Sequence, residues 1–442
     1  MEVLAVHETP EIHKFGGSCL RDASDLERIA NIVMEAEQPV VLVVSALWGT
    51  TDRLMRAAQE PRYAGRLVND LASHHLRFAP SLVNSPLFDV FQRVLAGIEE
   101  SLAALETERS DTSAYNRLLA SGERLSALII AHHLVECGID AHPVGAEDIG
   151  LCLDGVGTAR TVDMQRSAER LDKGAFWGVP VVTGWFGEGN DGDIALLGRG
   201  GSDHTATALA ALLNAQRVVL WKDVLGIYPI NPRWGVSASP IPYLGYGEAI
   251  EFANADATIL HPATVQPVYS IGIPIEIRHL SGYGRNNLKT VIGPDIDGTP
   301  TVKAVACIPR VACVTVQLTY SDDAVADLSD AIGQLQEHDI RVCSFEANPN
   351  RWRFILPQHE VSRSMSILNR FSGEVTYDYY AAMLSFIGCS DAQTVLALLD
   401  ESSNQREEDV LVNNRSTHLL TQRHDISAML DEVMVRVKAT QR

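Results

Sequence analysis

The feature that most constrains the fold is an unbroken apolar run, Val40 to Val44, which contains four valines. Such a run is typical of a parallel strand covered on both faces, because a strand with one wet face alternates apolar and polar residues. A helical pattern precedes it from Asp25 to Glu35, with Ser24 as the predicted N-cap. Val218 to Trp221 predicts a second buried strand. This alternation predicts an α/β fold in which helices sandwich a mostly parallel sheet.

The sequence pattern changes after a polar stretch at 281–302 that is rich in glycine and proline. The residues beyond it predict two short β-α-β-β-α units, one starting at Val311 and one at Ala382. We therefore expect a catalytic domain over residues 1–290 and a tandem regulatory or dimerisation region over residues 300–442.

Composition excludes some classes of function. The chain has 442 residues with 36 basic and 56 acidic side chains, so its net charge is −20, which argues against general nucleic-acid binding. Anionic ligands must then bind where basic residues are concentrated locally. No apolar run approaches the roughly 20 residues of a membrane span, and we see no secretory signal. The seven scattered cysteines form no C-x-x-C pair and predict reduced thiols in the cytoplasm.

The segment Leu197–Asp203, which reads L-G-R-G-G-S-D, predicts an anion site because it opens an alanine-rich helix from Thr205 to Leu213. Small residues let backbone N–H groups approach an anion, and a helix N-terminus supplies unpaired donors. Arg199 adds a planar fork for a carboxylate or phosphate, and Asp203 adds a negative charge. The alternative is an ordinary turn capped by Ser202 or Asp203.

Two turns that follow predicted strands are further candidates. Lys14 with Gly16, Gly17 and Ser18 can cradle phosphates, although this is not a Walker A loop, and a plain strand-to-helix turn is the alternative. The hydroxyl-rich segment 45–52 lies at the carboxyl end of the Val40–Val44 strand, where α/β sheets bind ligands. Its alternative is a Ser/Thr-capped helix start.

Three other motifs carry weaker signals. Glu123, in S-G-E-R, can pair with an ammonium group, although most glutamates are solvated surface charges. The turn that follows Trp221 is either a nucleotide contact or an exposed β-turn. The segment Gly187–Gly192 matches G-x-G-x-x-G, but a strand and not a helix follows it, so we predict a hairpin turn.

Taken in order, the motifs K-F-G-G-S, V-V-S-A, S-G-E-R, L-G-R-G-G-S-D and W-K-D-V-x-G-I-Y-x-x-N-P-R resemble those of an aspartate kinase of the amino-acid kinase superfamily. The resemblance covers roughly residues 11–280 closely and extends loosely to the end of the chain. It is nearest to the kinase half of bifunctional aspartokinase–homoserine dehydrogenases, without a dehydrogenase half. It implies an amino-acid kinase fold followed by two ferredoxin-like ACT modules.

The resemblance also implies an activity, which is transfer of the γ-phosphoryl group of ATP, with Mg²⁺, to the β-carboxylate of L-aspartate. The product is 4-phospho-L-aspartate, and the reaction begins the aspartate-family pathway. The implied catalytic residues are Lys14 and Asp203. The implied substrate-binding residues are Ser45, Thr51, Glu123, Arg199 and Ser202. The implied ATP-binding residues are Lys14, Gly16, Gly17, Ser18, Lys222, Asp223, Tyr228 and Arg233. The resemblance implies no protein ligand to a metal and no nucleic-acid or membrane partner. It does imply a homodimer or higher homo-oligomer that forms through the ACT-like region.

Three positions depart from the family pattern. Lys222 stands where many aspartate kinases have a threonine, and Thr258 stands where many have a phosphate-binding lysine, so we expect Lys222 to replace the missing charge. In feedback-inhibited relatives a serine-rich segment borders the effector site, and here the corresponding segment is Ala347–Arg353. Its proline and Trp352 predict weak or absent inhibition by lysine or threonine.

Two alternatives remain open at this point. One is a superfamily member that acts on another acidic substrate, such as an acetylglutamate-type kinase, against which the ACT-like tail and S-G-E-R argue. The other is a non-catalytic, ligand-sensing homologue, against which the joint presence of Lys14, Arg199 and Asp203 argues.

Overall fold

The chain divides into two units that are not continuous in sequence. Unit 1 comprises Met1–Ile227 and Ala263–Pro294, and unit 2 comprises Tyr228–Pro262 and Asp295–Arg442. The structure is a computed structural model that describes residues 9–155, 157, 160–235, 238–255, 259–282, 288–296, 301–318, 324–371, 374–399 and 409–440. The boundary predicted at 281–302 includes residues 283–287 and 297–300, which lie outside the described residues, and the division into 1–290 and 300–442 stays a prediction.

Unit 1 is built on a parallel sheet. Labels follow chain order, and its strands are β1 (Glu11–Phe15), β2 (Val40–Val44), β3 (Ala141–Val144), β4 (Leu153–Asp154), β5 (Thr161–Val162), β6 (Val179–Thr183), β7 (Phe186–Glu188), β8 (Ile194–Leu196), β9 (Arg217–Lys222), β11 (Ile275–His279) and β12 (Lys289–Gly293). Seven of them lie in the order β12-β11-β9-β1-β2-β6-β3. All neighbours are parallel except β11 and β12. Every residue of β2 is buried, which confirms the expectation from its apolar run.

Helices surround this sheet. They are α1 (Ala23–Met34), α2 (Thr50–Gln59), α3 (Pro61–Phe78), α4 (Leu87–Thr107), α5 (Thr112–Glu136), α6 (Met164–Arg170), α7 (Gly201–Leu212) and α9 (Pro262–Tyr269). The prediction of Ser24 as the first N-cap is wrong. Asp22 caps α1, because its carboxylate accepts from the Ser24 N–H, and it forms a capping box with Asp25, whose carboxylate accepts from the Asp22 N–H at 3.4 Å. In the part of the chain that the structure describes, no helix is both long enough and apolar enough to cross a bilayer.

The apolar core of unit 1 explains why one helix is buried almost all round. Most of α5 is inaccessible, including Glu123 and Gly122, and Leu125 and Ile129 join the large apolar cluster beneath it. A helix buried on all sides shows little amphipathic pattern, so its burial is hard to predict from sequence. The segment Gly187–Gly192 forms a hairpin as predicted: its first residues end β7, and the chain then turns back so that β7 pairs antiparallel with β8.

Unit 2 contains the two predicted β-α-β-β-α modules. Its strands are β10 (Tyr243–Gly245), β13 (Ala304–Gln317), β14 (Ser344–Asn348), β15 (Arg351–Pro357), β16 (Glu374–Ile387), β17 (Val410–Val412) and β18 (Ser416–Thr421). Its helices are α8 (Tyr246–Ala255), α10 (Ala324–Glu337), α11 (Val361–Leu368), α12 (Ala392–Ala397) and α13 (Ile426–Thr440). The sheet order is β14-β15-β13-β16-β18-β17, and all neighbours are antiparallel.

Two strands of unit 2 are longer than predicted. β13 begins at Ala304 and not at Val311. The sequence did not predict the first part of this strand because exposed Pro309 and Arg310, whose φ is 55°, interrupt the apolar run. β16 begins at Glu374 and not at Ala382. The sequence did not predict this part of the strand because its first residues are mostly exposed and polar. Each strand spans 14 residues and pairs within both modules, so the modules share one continuous sheet.

Candidate active site

The carboxyl edge of the unit 1 sheet brings together the turns that carry the motifs. Because β1, β2, β6 and β9 are parallel, the segments that follow them meet at one edge. The Ser45 N–H donates to the Phe15 carbonyl at 3.1 Å, and the Gly184 N–H donates to the Val44 carbonyl at 2.9 Å. These backbone bonds fix the turns after β1, β2 and β6 against one another.

A carboxylate held between two lysines lies at this edge. Lys14 on β1 is opposite Leu220 on β9, and side chains alternate along a strand, so Lys14 and Lys222 share one face. Asp203, in the first turn of α7, packs against that face. Its Oδ1 lies 2.6 Å from Lys14 Nζ, and its Oδ2 lies 2.8 Å from Lys222 Nζ. We call these three residues the lysine–aspartate cluster.

The charges of this cluster are fixed by their contacts. Burial raises the pKa of Asp203, but the charges and hydrogen bonds of Lys14 and Lys222 outweigh burial and hold that pKa well below its ordinary value. Asp203 is therefore ionised and holds both ammonium groups. The cluster keeps one excess positive charge at the sheet edge, which suits a bound anion.

The N-terminus of α7 faces the same region without a side-chain cap. Its N-cap is Gly200, whose φ of 72° is the left-handed conformation that favours glycine. Because neither Ser202 nor Asp203 caps the helix, the interpretation of this segment as a simple capped turn is wrong. In the first turn the Gly201 N–H donates to the Gly198 carbonyl at 3.1 Å, whereas the N–H groups of Ser202 and Asp203 lack helical partners and can bind an anion. Arg199 is exposed beside them and has no ion-pair partner among the described residues.

Two serines connect the turn after β2 to α7. Ser45 Oγ donates to Ser202 Oγ at 3.0 Å, which joins two residues 157 positions apart. Gly184 makes this approach possible, since a Cβ there would lie 2.6 Å from Ser202 Cβ. Thr51 is half-buried in the first turn of α2, next to the fully buried Thr50.

Glu123 is buried at the same edge and not exposed, so the surface interpretation of it is wrong. Its Oε1 accepts from the Ala46 N–H at 3.1 Å, whereas its Oε2 has no hydrogen-bond partner within the described residues. Burial raises the pKa of Glu123 to about 8, although Ala46 and nearby Lys14 oppose the shift. Such a carboxyl group is protonated near neutral pH and becomes ionised when a cation approaches it.

The predicted phosphate turn and nucleotide turn lie at the mouth of this region. Gly17 and Ser18 are half-buried in the turn after β1. Asp223 is exposed after β9, and Arg21 Nη2 lies 3.3 Å from its Oδ2. The Arg21 guanidinium also lies 4.6 Å from the ring centroid of exposed Trp48. Arg21 thereby joins the turns that follow β1, β2 and β9.

Two of the predicted nucleotide-binding residues lie outside unit 1. Tyr228 and Arg233 belong to unit 2, where the Arg233 guanidinium lies 5.8 Å from the Trp234 ring centroid. Thr258 lies outside the described residues. The nucleotide contacts of Tyr228 and Arg233 stay predictions.

Sequence reasoning missed several groups that the fold adds to the site. The Ala46 N–H and the buried Thr50 hydroxyl, which has no partner among the described atoms, lie in the 45–52 segment, but the sequence indicated no role of its own for either group. Arg21 and Trp48 were detectable, since each follows a turn after a predicted strand, where α/β sheets place their ligand contacts.

The donor chemistry of the site suits anions. Across the residues that the structure describes, no group of three His, Cys, Asp or Glu side chains is arranged to hold a metal ion. Asp203 has both oxygens engaged by lysines. Two ammonium groups, a free guanidinium and helix N–H groups concentrate positive charge and hydrogen-bond donors at one sheet edge, which is chemistry that suits a small anion.

Comparison with known proteins identifies the family. The family model described as "Amino acid kinase family" matches residues 11–279, which is more than half of the chain. The chain therefore belongs to the amino acid kinase family. Its curated relatives include aspartokinases. It is 29% identical over 315 residues to chloroplastic aspartokinase 1 of Arabidopsis thaliana, which covers 68% of this chain and 54% of the relative. It is 28% identical to the lysine-sensitive aspartokinase 3 of Escherichia coli, which covers 75% of this chain and 74% of that one.

A solved structure shows the same fold over nearly the whole chain. The structure of E. coli aspartokinase III in complex with aspartate and ADP superposes with a TM-score of 0.78 at 22% identity, covering 96% of this chain and 99% of that one. The predicted α/β amino-acid kinase fold with two C-terminal ACT modules is thus confirmed. The chain spans about half the length of the plant relative.

Proposed function

We propose that this chain phosphorylates the β-carboxylate of L-aspartate with MgATP, giving 4-phospho-L-aspartate and ADP. The observation that carries the proposal is the lysine–aspartate cluster beside the open N-terminus of α7. A carboxylate nucleophile with an ordinary pKa of about 3.9 is already ionised at neutral pH and needs no general base. The main barrier is repulsion between this carboxylate and the triphosphate, which fixed positive charges relieve.

In the proposed reaction a β-carboxylate oxygen attacks the γ-phosphorus, and the bond to the oxygen that bridges the β- and γ-phosphates breaks. Lys14 and Lys222 screen the charge that develops on the transferred group and on ADP. Asp203 positions both ammonium groups and takes no proton, since its pKa is held low. Mg²⁺ enters with ATP as part of the substrate.

The residues around the cluster hold the aspartate. Arg199 binds the α-carboxylate through its planar fork. Glu123 pairs with the substrate ammonium, which favours loss of the proton that burial holds on this side chain. Ser45, Ser202 and Thr51 donate hydrogen bonds to the substrate. Gly16, Gly17, Ser18, Asp223, Tyr228 and Arg233 contact the nucleotide.

Lys222 replaces the cation that many aspartate kinases carry at the position of Thr258. The support is geometric, because Lys222 reaches the same carboxylate as Lys14, although it lies on the neighbouring strand. A second ammonium is thus available at the sheet edge without a contribution from residue 258.

Hydroxylamine trapping of the acyl phosphate tests the function. Folded protein with saturating MgATP and L-aspartate should form aspartyl hydroxamate and consume ATP, and Lys14→Ala should serve as the inactive control. Turnover with N-acetylglutamate but not aspartate would support the acetylglutamate-type alternative. Absence of turnover with both substrates would support a ligand-sensing homologue.

We further propose a cytoplasmic homodimer that pairs through the C-terminal modules. Tyr377 and Tyr379 on β16 are 46% and 49% exposed, with ring centroids 5.2 Å apart, and a second copy can cover them. All seven cysteines are free, as expected in a reducing compartment. Light scattering tests this by measuring the molecular mass in solution of the wild-type protein and of the Tyr377→Ser/Tyr379→Ser variant.

A further inference from the structure

A cavity between α2 and α3 is lined by three arginines that have no acidic partner. It measures about 560 Å³, and its lining includes Arg53 and Arg56 from α2 and Arg77 from α3. Within the described residues none of the three forms an ion pair, although the chain has 20 more acidic than basic side chains. In so acidic a chain, three unpaired arginines around one cavity are a local concentration of positive charge.

Neighbouring side chains respond to these charges and restrict the positions of two of the guanidinium groups. Burial lowers the pKa of His74, and the charges of Arg53 and Arg77 lower it further. Arg77 Nη2 lies 3.1 Å from His74 Nδ1, where the neutral ring can accept a hydrogen bond from the guanidinium. The Arg56 guanidinium lies 4.6 Å from the Tyr63 ring centroid, which restricts its orientation. Two of the three cations are therefore positioned before any ligand arrives.

We propose that this cavity is a binding site for a phosphate group, separate from the lysine–aspartate cluster. Guanidinium forks match phosphate oxygens and give charge-assisted hydrogen bonds, and three forks around one cavity exceed what a single carboxylate needs. Asp70 is the one acidic residue in the lining, so the cavity keeps a net charge of about +2. The volume admits free phosphate or the phosphate end of a small metabolite.

The site lies on the helix that starts at the substrate edge. α2 begins with buried Thr50, and Arg53 and Arg56 follow within the next two turns. A phosphate that binds α2 and α3 together therefore contacts an element whose first residue, Thr50, packs against Gly122, which is next to the buried Glu123 in the chain. Binding itself does not depend on the proposed kinase activity.

Calorimetric titration of inorganic phosphate at constant ionic strength tests the proposal. Lys14→Ala removes an anion contact at the sheet edge, and Arg53→Gln removes one from the cavity. Arg66→Gln is the matched control, because Arg66 is exposed on α3 but does not line the cavity. We expect Arg53→Gln to weaken phosphate binding about tenfold, which corresponds to the loss of roughly one charge-assisted hydrogen bond. Lys14→Ala and Arg66→Gln should both retain phosphate binding at the cavity.

Equal binding by Arg53→Gln and wild type would overturn the proposal, as would complete loss of binding in Lys14→Ala. Glycerol 3-phosphate forms a second arm of the titration. Tighter binding of this ester than of inorganic phosphate would assign the site to a phosphorylated metabolite, and equal binding would assign it to free phosphate. Either result supports a phosphate site, provided that Arg53→Gln weakens it.

Discussion

At the scale of single residues, two buried carboxyl groups at one sheet edge are held in opposite protonation states. Asp203 is ionised because two lysines contact it, whereas burial raises the pKa of Glu123 to about 8. Environments that push two pKa values apart are a common way to assign different chemical roles to identical groups. Here Asp203 is always charged and holds the two lysines, whereas Glu123 becomes charged when a cation binds next to it.

Replacement of either lysine should lower turnover more than substrate binding. We expect Lys14→Ala to reduce kcat by about 10²-fold or more, because its ammonium screens charge that grows in the transition state. Lys222→Ala should act in the same direction. Steady-state rates measure this, with exposed Lys173→Ala as the control. Near-normal kcat in Lys14→Ala would remove Lys14 from the catalytic residues.

Glu123 should make the unliganded protein less stable as pH rises. Its folded pKa of about 8 exceeds the ordinary 4.5, so its contribution is complete below pH 4.5 and is lost as pH rises towards 8. Relative to Glu123→Gln, the wild-type free energy of unfolding should fall by on the order of 2 kcal/mol between pH 6 and 8. Urea denaturation at both pH values measures the difference. Equal pH dependence in the two proteins would contradict the shift.

At the scale of elements, sequence predicted what depends on local pattern. The Val40–Val44 strand and the 187–192 hairpin follow from apolar runs and turn residues, and both are present. The pairing of Lys222 with Asp203 was not predictable, because it depends on which strands become neighbours. Ser24 was displaced as N-cap by Asp22, since two candidate caps two residues apart look equivalent in sequence. The burial of Glu123 depends on how α5 packs, which its composition does not specify.

The contact between the β6 turn and α7 should tolerate no side chain at position 184. Gly184→Ala places a Cβ 2.6 Å from Ser202 Cβ, and we expect it to cost about 1–3 kcal/mol of stability. It should also raise KM for aspartate by displacing Ser202. The control is Gly65→Ala in exposed α3, where nothing lies within 4 Å and a gain of about 0.5–1 kcal/mol is expected. Equal stability of the two variants in urea would contradict this assignment.

The β14–β15 hairpin should make the protein insensitive to lysine and threonine. Trp352 is buried in the core of the first module, 6.4 Å from the Phe354 ring and 6.2 Å from the Phe371 ring. A ligand changes activity only if it binds two states differently, and a filled core offers no volume for such binding. Initial rates with each amino acid at millimolar concentration measure this. Strong inhibition that disappears when residues 347–353 are mutated would show that the interpretation is wrong.

At the scale of the whole molecule, residues 228–262 depend on the C-terminal part of unit 2. Ile230 joins the apolar cluster that includes Leu384 and Leu430, and Lys303 Nζ lies 2.7 Å from Glu248 Oε2. A protein ending at residue 294 should therefore expose this apolar surface and unfold or aggregate. Circular dichroism and sedimentation of the truncated protein, beside the full chain, measure this. A monomeric 1–294 fragment with native stability would contradict the dependence.

The order of strands in unit 1 has a consequence for synthesis of the chain. β1 lies between β2 and β9, and its last residue, Phe15, pairs with Trp221, which is 206 positions later (221 − 15). A ribosome adds about 5–20 residues per second, so one edge of β1 stays open for roughly 10–40 seconds. The unpaired edge of β1 is exposed to other unpaired strands throughout that interval. Chaperones that bind the nascent chain should therefore have the most effect on the yield of folded protein before β9 leaves the ribosome.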